Sequence, residues 1–267
     1  MLRAPAVAGQ FYPGRKAALV ETLAKLVPAV NDRQPAFGVM SPHAGYVYSG
    51  SVAGRTFAAV AIPPEVVILG PNHHGYGHPL AVYPRGEWEL PLGKVPIAAA
   101  LTGAILAACP QAAADSEAHR FEHSLEVQVP FLQTLAPEVA IAAICIGRAS
   151  LDALLALGDG LAEALRTRPV RPLLVASTDM THYESGETAR RKDHLALQQV
   201  LALDPEGLYR TVSDQHISMC GVLPTVVMLR AALALGAQHA ELVAYANSGD
   251  VTGDQRQVVG YAGVIVT

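Results

Sequence analysis

The chain has 267 residues and a formal net charge of −4 at pH 7. A mildly acidic chain with scattered arginines lacks the basic surface with which proteins bind nucleic acids or anionic membranes, so neither is an expected partner. A small-molecule substrate, a peptide or another protein fits this composition better.

The length predicts one domain over residues 1–267, because a chain of this size buries about three quarters of the surface that it exposes when unfolded. Folding then needs neither disulfides nor a structural metal, so a bound metal would have a chemical role instead of a structural one. The three cysteines, at positions 109, 145 and 220, have no regular spacing, which indicates a reducing compartment. The first residues lack a secretory signal and no apolar stretch reaches the ~20 residues that a bilayer requires, so we expect a cytoplasmic protein.

Short apolar runs alternate with longer Ala- and Leu-rich stretches along the chain. The runs predict strands that are buried on both faces: Phe37–Met40, Val66–Leu69, Ile141–Ile146, Leu173–Ala176, Leu242–Tyr245 and Val258–Val266. The intervening stretches predict helices: 51–61, 95–108, 150–166, 187–202 and 222–235. This alternation is typical of an α/β fold with a central mixed or mostly parallel sheet flanked by helices.

Histidines and one aspartate follow three of the predicted strands directly. His43 follows the first strand, His73 and His74 follow the second, and Asp179 and His182 follow the fourth. Loops beyond the carboxyl ends of parallel strands meet in one crevice, so these side chains are expected to form one site. Each histidine taken alone could instead satisfy a loop carbonyl.

Cys220 comes at the start of a predicted apolar helix. A helix N-terminus stabilises a thiolate, the form of cysteine that binds metals or attacks electrophiles. Cys109 lies at the end of a predicted helix and Cys145 within a predicted strand, so we expect both to be structural.

The segment Glu122-His123-Ser124-Leu125-Glu126 is typical of a helix start, where Glu122 or Ser124 could accept from open N–H groups. His123 and Glu126 would then lie on one helix face. The alternative is ordinary capping beside a solvated face.

These segments resemble the Memo family, whose bacterial members are also called AmmeMemoRadiSam system protein B. The resemblance covers nearly the whole chain and rests on six segments in the family's order: Ala8-Gly9-Gln10-Phe11-Tyr12-Pro13, Pro42-His43-Ala44-Gly45-Tyr46, Leu69-Gly70-Pro71-Asn72-His73-His74, Glu122-His123-Ser124-Leu125-Glu126, Ser177-Thr178-Asp179 with His182, and Cys220-Gly221.

The resemblance implies a fold similar to that of class III (protocatechuate-type) extradiol dioxygenases and one transition-metal ion, iron or copper. Its ligands map onto His43, His73 and Cys220. Asp179 and His182 match the family's remaining pocket residues and are assigned catalytic roles. Four further residues are assigned supporting positions in the pocket: Tyr46, His74, His123 and Glu126. The dioxygenases use a carboxylate as third ligand, and a thiolate is softer and can itself be oxidised.

Three functions remain open at this point. The first is an iron-dependent oxidoreductase acting with O₂ on a small, aromatic substrate, in which His182, placed by Asp179, moves protons. The second is a copper- or iron-binding redox protein without turnover. The third is a binding module for a peptide or a protein, with the radical S-adenosylmethionine protein and the A component of the same system as implied partners.

Overall fold

A mixed nine-stranded sheet forms the centre of the molecule in a computed structural model that describes residues 1–267. A second sheet of three short strands lies beside it. The strands are β1 (Leu2–Arg3), β2 (Gly38–Ser41), β3 (Glu65–Pro71), β4 (Leu80–Val82), β5 (Glu87–Leu90), β6 (Gly93–Pro96), β7 (Ala113–Ala114), β8 (Ala140–Ile146), β9 (Leu173–Ser177), β10 (His182–Glu184), β11 (Ala240–Asn247) and β12 (Val258–Val266).

Nine helices connect and cover these strands. They are α1 (Lys16–Leu26), α2 (Tyr46–Ala58), α3 (Ala99–Ala108), α4 (Val129–Leu135), α5 (Leu151–Arg166), α6 (Gly186–Leu201), α7 (Pro205–Asp214), α8 (Val222–Leu235) and α9 (Gly249–Thr252), with short 3₁₀ turns at Glu117–His119 and Glu126–Gln128. None of the helices combines the length and the apolar character that crossing a bilayer would take.

Four parallel strands lie side by side in the large sheet, in the order β2, β9, β3 and β8. The other strands of this sheet join them through antiparallel pairs: β12 next to β2, and β4 next to β8. Strand β12 also pairs with β10 near its start and with β11 along most of its length. Because the four central strands run in one direction, their carboxyl ends lie along the same edge of the sheet.

Alternating side chains of the central strands point into two separate cores. Val67 and Leu69 of β3 belong to a cluster of 39 buried residues, which also contains the apolar faces of α5 and α8. Val66 and Ile68 belong to a second cluster of 28 buried residues, to which α1, α2 and α4 contribute. Each fully buried aliphatic side chain contributes roughly 1.5–3 kcal/mol, so the helix layers hold the sheet from both sides.

The structure confirms the predicted α/β class with a mixed sheet and finds a strand in each of the six predicted runs. It also differs from the prediction at several points. Helices α1 and α7 and the strands between residues 80 and 96 were not predicted, and the helix expected from residue 95 begins at Ala99 because β6 ends at Pro96. The expected helix start at 122–126 is a loop and a 3₁₀ turn, with α4 beginning only at Val129.

The buried carboxylate of Glu126 fixes the N-terminal segment to this core. It accepts from Arg3 Nη1 at 2.6 Å, from the Ala6 N–H at 2.7 Å and from the Tyr12 hydroxyl at 2.6 Å. Arg3 also lies over the Trp88 ring, with Cζ 4.2 Å from the ring centroid. Glu126 therefore does not share a functional face with His123, contrary to the sequence prediction, and supports the fold instead of lining the pocket.

Replacement of Glu126 by alanine is expected to lower the free energy of unfolding by about 3–5 kcal/mol, because it leaves the buried Arg3 guanidinium without its carboxylate. Urea denaturation measures this loss. The control is Glu87→Ala, which removes the exposed partner of Lys94 and is expected to cost less than about 1 kcal/mol. Equal losses in the two variants would contradict the role of Glu126.

Candidate metal centre

Three histidine rings meet beyond the carboxyl ends of the central strands. His43 follows β2, His73 follows β3, and His123 comes from the loop before α4. Their ligand nitrogens all lie within 4.8 Å of one another. The convergence expected for His43 and His73 from parallel strand ends is present in the structure, and His123 completes a group of three imidazoles.

Hydrogen bonds of Ser177 fix the protonation of His43. The Ser177 hydroxyl donates to the Ser124 carbonyl at 2.6 Å and accepts from Gln128 Nε2 at 2.8 Å. Its remaining lone pair lies 2.9 Å from His43 Nδ1, so Nδ1 must carry the proton. His43 Nε2 is thus left with a free lone pair, and burial together with the neighbouring His123 and His73 keeps the pKa of His43 well below its usual value.

His73 is held in the same manner by a carboxylate. Glu122 Oε1 lies 2.9 Å from His73 Nδ1, and Glu122 Oε2 accepts the His73 backbone N–H at 2.7 Å. Burial opposes the charge of Glu122, but the hydrogen bond and charge of His73 outweigh it and hold the pKa of Glu122 well below its ordinary range. This pair leaves His73 Nε2 as the ligand atom, and a carboxylate partner raises the basicity of a ligating histidine.

His123 lies between two other rings. It stacks on His73 with ring centroids 4.7 Å apart, and Phe11 packs against it at 4.8 Å. Burial lowers the pKa of His123 to about 4, so its imidazole is neutral at neutral pH. The sequence assigned His123 only a supporting position, whereas the structure brings its ring as close to His43 as His73 is.

The Cys220 thiol contacts one member of this group, His43. Its Sγ lies 3.2 Å from His43 Nε2 and accepts the Asp179 backbone N–H at 3.3 Å. Burial, reinforced by the charge of Asp179, raises the pKa of the thiol far above its usual value. These surroundings therefore disfavour the thiolate expected from a helix N-terminus, and the thiol proton can be donated to His43 Nε2.

Gly221 allows this approach of Cys220 to the sheet. A Cβ atom at position 221 would lie 2.3 Å from the Ser177 carbonyl oxygen and 2.4 Å from Thr178 Cβ. Any side chain there would push the Cys220 segment away from β9. The short Cys-Gly segment is thus a packing requirement of the site.

Asp179 and His182 both line the pocket, but the structure does not pair them as the sequence predicted. Asp179 Oδ1 accepts the His43 backbone N–H at 2.8 Å, and burial raises the pKa of Asp179 to about 6. His182 Nδ1 instead lies 2.7 Å from the Met180 carbonyl and 2.9 Å from the Ser218 carbonyl. Two carbonyl acceptors place a proton on Nδ1, so in the neutral ring the lone pair of His182 lies on Nε2.

Two residues that the sequence assigned to the pocket lie outside it. His74 is exposed, and its Nε2 is 3.0 Å from the Phe121 carbonyl. Tyr46 is buried beneath the site, where its hydroxyl donates to the Val127 carbonyl at 2.7 Å. Together with Glu126, these residues support the surroundings of the site without facing it.

Sequence reasoning missed several residues that orient the site, of which Asp193 is the clearest. Its fully buried carboxylate accepts the Thr181 N–H at 2.8 Å, directly before His182, and the Tyr245 hydroxyl at 2.7 Å. The sequence does contain a sign of this role, because Asp193 is a carboxylate on the apolar face of α6, between Ala189 and Ala196. Ser177 and Gln128 gave no comparable signal, since their roles depend on contacts between distant segments.

The cluster forms one wall of an open pocket of about 600 Å³. The side chains that could carry chemistry share this pocket: His43, His73, His123, Asp179, His182 and Cys220. Phe11, Tyr183 and Val259 supply apolar walls. Imidazole nitrogens next to a thiol form a donor set suited to a borderline or soft transition metal.

Comparisons with known proteins agree with the resemblance seen in the sequence. A family profile described as "Memo-like protein" matches residues 3–265. A "MEMO1 family protein" of Aquifex aeolicus is 42% identical over 270 residues, covering 99% of this chain and 98% of its own. Proteins of the same description from Methanosarcina mazei and Thermotoga maritima are each 40% identical, covering 99% and 100% of both chains respectively.

Replacement of Glu122 by glutamine is expected to weaken metal binding by about 10–100-fold, because the neutral amide no longer supports the basicity of His73. Titration with Co²⁺, followed by visible absorption, measures the affinity. Glu117→Gln is the matched control on the same loop, where the carboxylate is exposed and pairs only with Arg120. If the two variants bind Co²⁺ equally well, Glu122 does not orient a metal ligand.

Proposed function

The chain belongs to the Memo family, and we propose that it is a metal-dependent oxidoreductase whose single iron or copper ion is held by His43, His73 and Cys220. The observation that carries this proposal is the placement of two imidazole lone pairs and one thiol in the same open pocket. Each imidazole has its second nitrogen bound to a protein oxygen, as is usual for ligating histidines.

The contact between Cys220 and His43 supports the thiol as third ligand. The thiol can donate its proton to His43 Nε2 across 3.2 Å. Loss of that one proton turns both atoms into donors, so metal binding should release a proton and become weaker at low pH. His123 is the competing third ligand, since its nitrogen belongs to the group of mutually close imidazoles.

An iron or copper ion, when bound, supplies one-electron redox chemistry at this wall of the pocket. The protein's own contribution is the placement of a base. His182 Nε2 carries a free lone pair in a pocket whose volume suits a small molecule, so His182 can accept a proton from a bound substrate. Asp179 holds the backbone of the His43 loop and thereby positions a ligand, not the base.

Apolar walls favour a small, aromatic substrate. Phe11 and Val259 line the pocket, and Tyr183 lies at its mouth with 74% of its surface exposed. The α/β fold, with its site beyond the parallel strand ends, supports a similarity to class III extradiol dioxygenases. In this chain the thiolate would take the place of their carboxylate ligand.

A second candidate is a metal-binding redox protein without turnover, and the oxidisable thiol beside the imidazoles favours it. In that case the exposed Tyr183, with φ of 59°, would contact a peptide or protein partner, with the other proteins of the AmmeMemoRadiSam system as candidates. A metal that keeps exchangeable water and consumes O₂ with a substrate supports the oxidoreductase. A fully coordinated metal that consumes none supports the alternative.

The His43→Ala and His73→Ala variants should each lose most bound metal while keeping the fold, because loop ligands contribute little to the core. Metal analysis of anaerobically purified protein and circular dichroism test this. Addition of Cu²⁺ should give a sulfur-to-metal absorption band that Cys220→Ser removes and His123→Ala retains. Absence of this band in the parent, together with loss of metal from His123→Ala, would make His123 the third ligand, and retention of stoichiometric metal in the His43→Ala/His73→Ala double variant would contradict the assignment.

The His182→Ala variant should keep its metal but lose activity by ~10²–10⁴-fold, the usual contribution of a positioned acid or base. O₂ uptake by the iron-loaded protein, measured over a panel of small aromatic substrates, provides the assay. His74→Ala is the control, because His74 lies outside the pocket. Loss of metal from His182→Ala would make His182 a ligand, and absence of uptake with every substrate would count against the oxidoreductase.

A further inference from the structure

A second cavity, of about 810 Å³, lies between helix α6 and strand β11, away from the histidine cluster. One wall is a stripe of α6 side chains at helical spacing: Glu187, Arg190, Arg191, His194 and Leu197. The other wall is formed by Leu242 and Tyr245 of β11. The cavity shares no lining residue with the metal pocket.

The two arginines of this cavity have no carboxylate partner. Some surface arginines, such as Arg168 and Arg230, form an ion pair with a nearby carboxylate, and others, such as Arg55, form none. Arg190 and Arg191 form none, and Glu187, which lines the same wall, pairs with neither of them. The wall therefore has an excess of positive charge, in a chain whose overall charge is negative.

The β11 wall supplies an apolar surface whose position is fixed. Leu242 is 39% exposed, and it faces the same cavity as Tyr245 because the strand register shifts between residues 242 and 244. The Tyr245 hydroxyl donates to the buried Asp193 at 2.7 Å, and the Arg190 guanidinium lies 5.3 Å from the Tyr245 ring centroid. The ring is thus anchored at its polar end and presents its flat face next to a guanidinium.

From this combination we propose that the cavity is a binding site for a small organic anion. The flat, apolar part of the ligand would lie on Leu242 and Tyr245, and its phosphate or carboxylate would accept hydrogen bonds from Arg190 and Arg191. Guanidinium groups bind such anions through two parallel hydrogen bonds. The volume lies within the usual range for small-molecule sites.

Calorimetric titration with phenyl phosphate, which carries both features, tests the proposal. One equivalent should bind, Arg191→Ala should weaken binding by roughly tenfold or more, and Arg190→Ala/Arg191→Ala by roughly a hundredfold, since each lost bond is charge-assisted. Arg210→Ala, on the exposed face of α7, is the matched control and should leave the affinity unchanged. All of these side chains are on the surface, so the variants should fold.

Two further titrations separate this site from the metal pocket and from simple charge attraction. The His43→Ala variant should bind phenyl phosphate as tightly as the parent, whereas loss of binding would place the ligand at the metal centre and overturn the proposal. Phenol and inorganic phosphate should each bind much more weakly. Equal affinity for either of them, or unchanged affinity in the double arginine variant, would also overturn it.

Discussion

The parallel pairing of β2, β9 and β3 is the constraint on which the site depends. Parallel strands end at the same edge of a sheet. The pairing of the strands therefore brings together the residues that follow them, even though these residues are far apart in the sequence. His43, Asp179 and His73 come from three such ends. The helices that bury both faces of the sheet keep this edge rigid, and ligand positions can then be held by short loops.

The polar groups that contact the imidazoles are satisfied, and this fixes the orientation of the rings, although three buried atoms nearby, Ser41 Oγ, Gln128 Oε1 and Thr181 Oγ1, have no hydrogen-bond partner. Ser177 uses its donor and both lone pairs on Ser124, Gln128 and His43. Glu122 accepts three hydrogen bonds, from the backbone and side chain of His73 and from the Ser124 N–H. An unsatisfied buried polar group costs roughly 1–3 kcal/mol, so each alternative ring orientation would carry that penalty. The free lone pairs and the thiol point into the pocket because the other positions are occupied.

Features that depend on neighbouring residues could be predicted from the sequence, whereas features that depend on contacts between distant residues could not. The strands were predictable because their apolar runs are local, and the meeting of His43 with His73 followed from the strand direction alone. Glu126 was misplaced because its partners, Arg3 and Tyr12, are more than a hundred residues away. The predicted pairing of Asp179 with His182 was wrong for a related reason. His182 Nδ1 is bound by the carbonyl groups of Met180 and Ser218, and the sequence does not show where a carbonyl group points.

We propose that one metal ion lies between His43, His73 and Cys220, and anomalous scattering from crystals of the iron-loaded protein tests this proposal most directly. We expect a single anomalous peak bonded to His43 Nε2, His73 Nε2 and Cys220 Sγ, with Glu122 and Ser177 still bound to the other imidazole nitrogens. A peak bonded to His123 in place of Cys220, or no peak in this pocket, would contradict it.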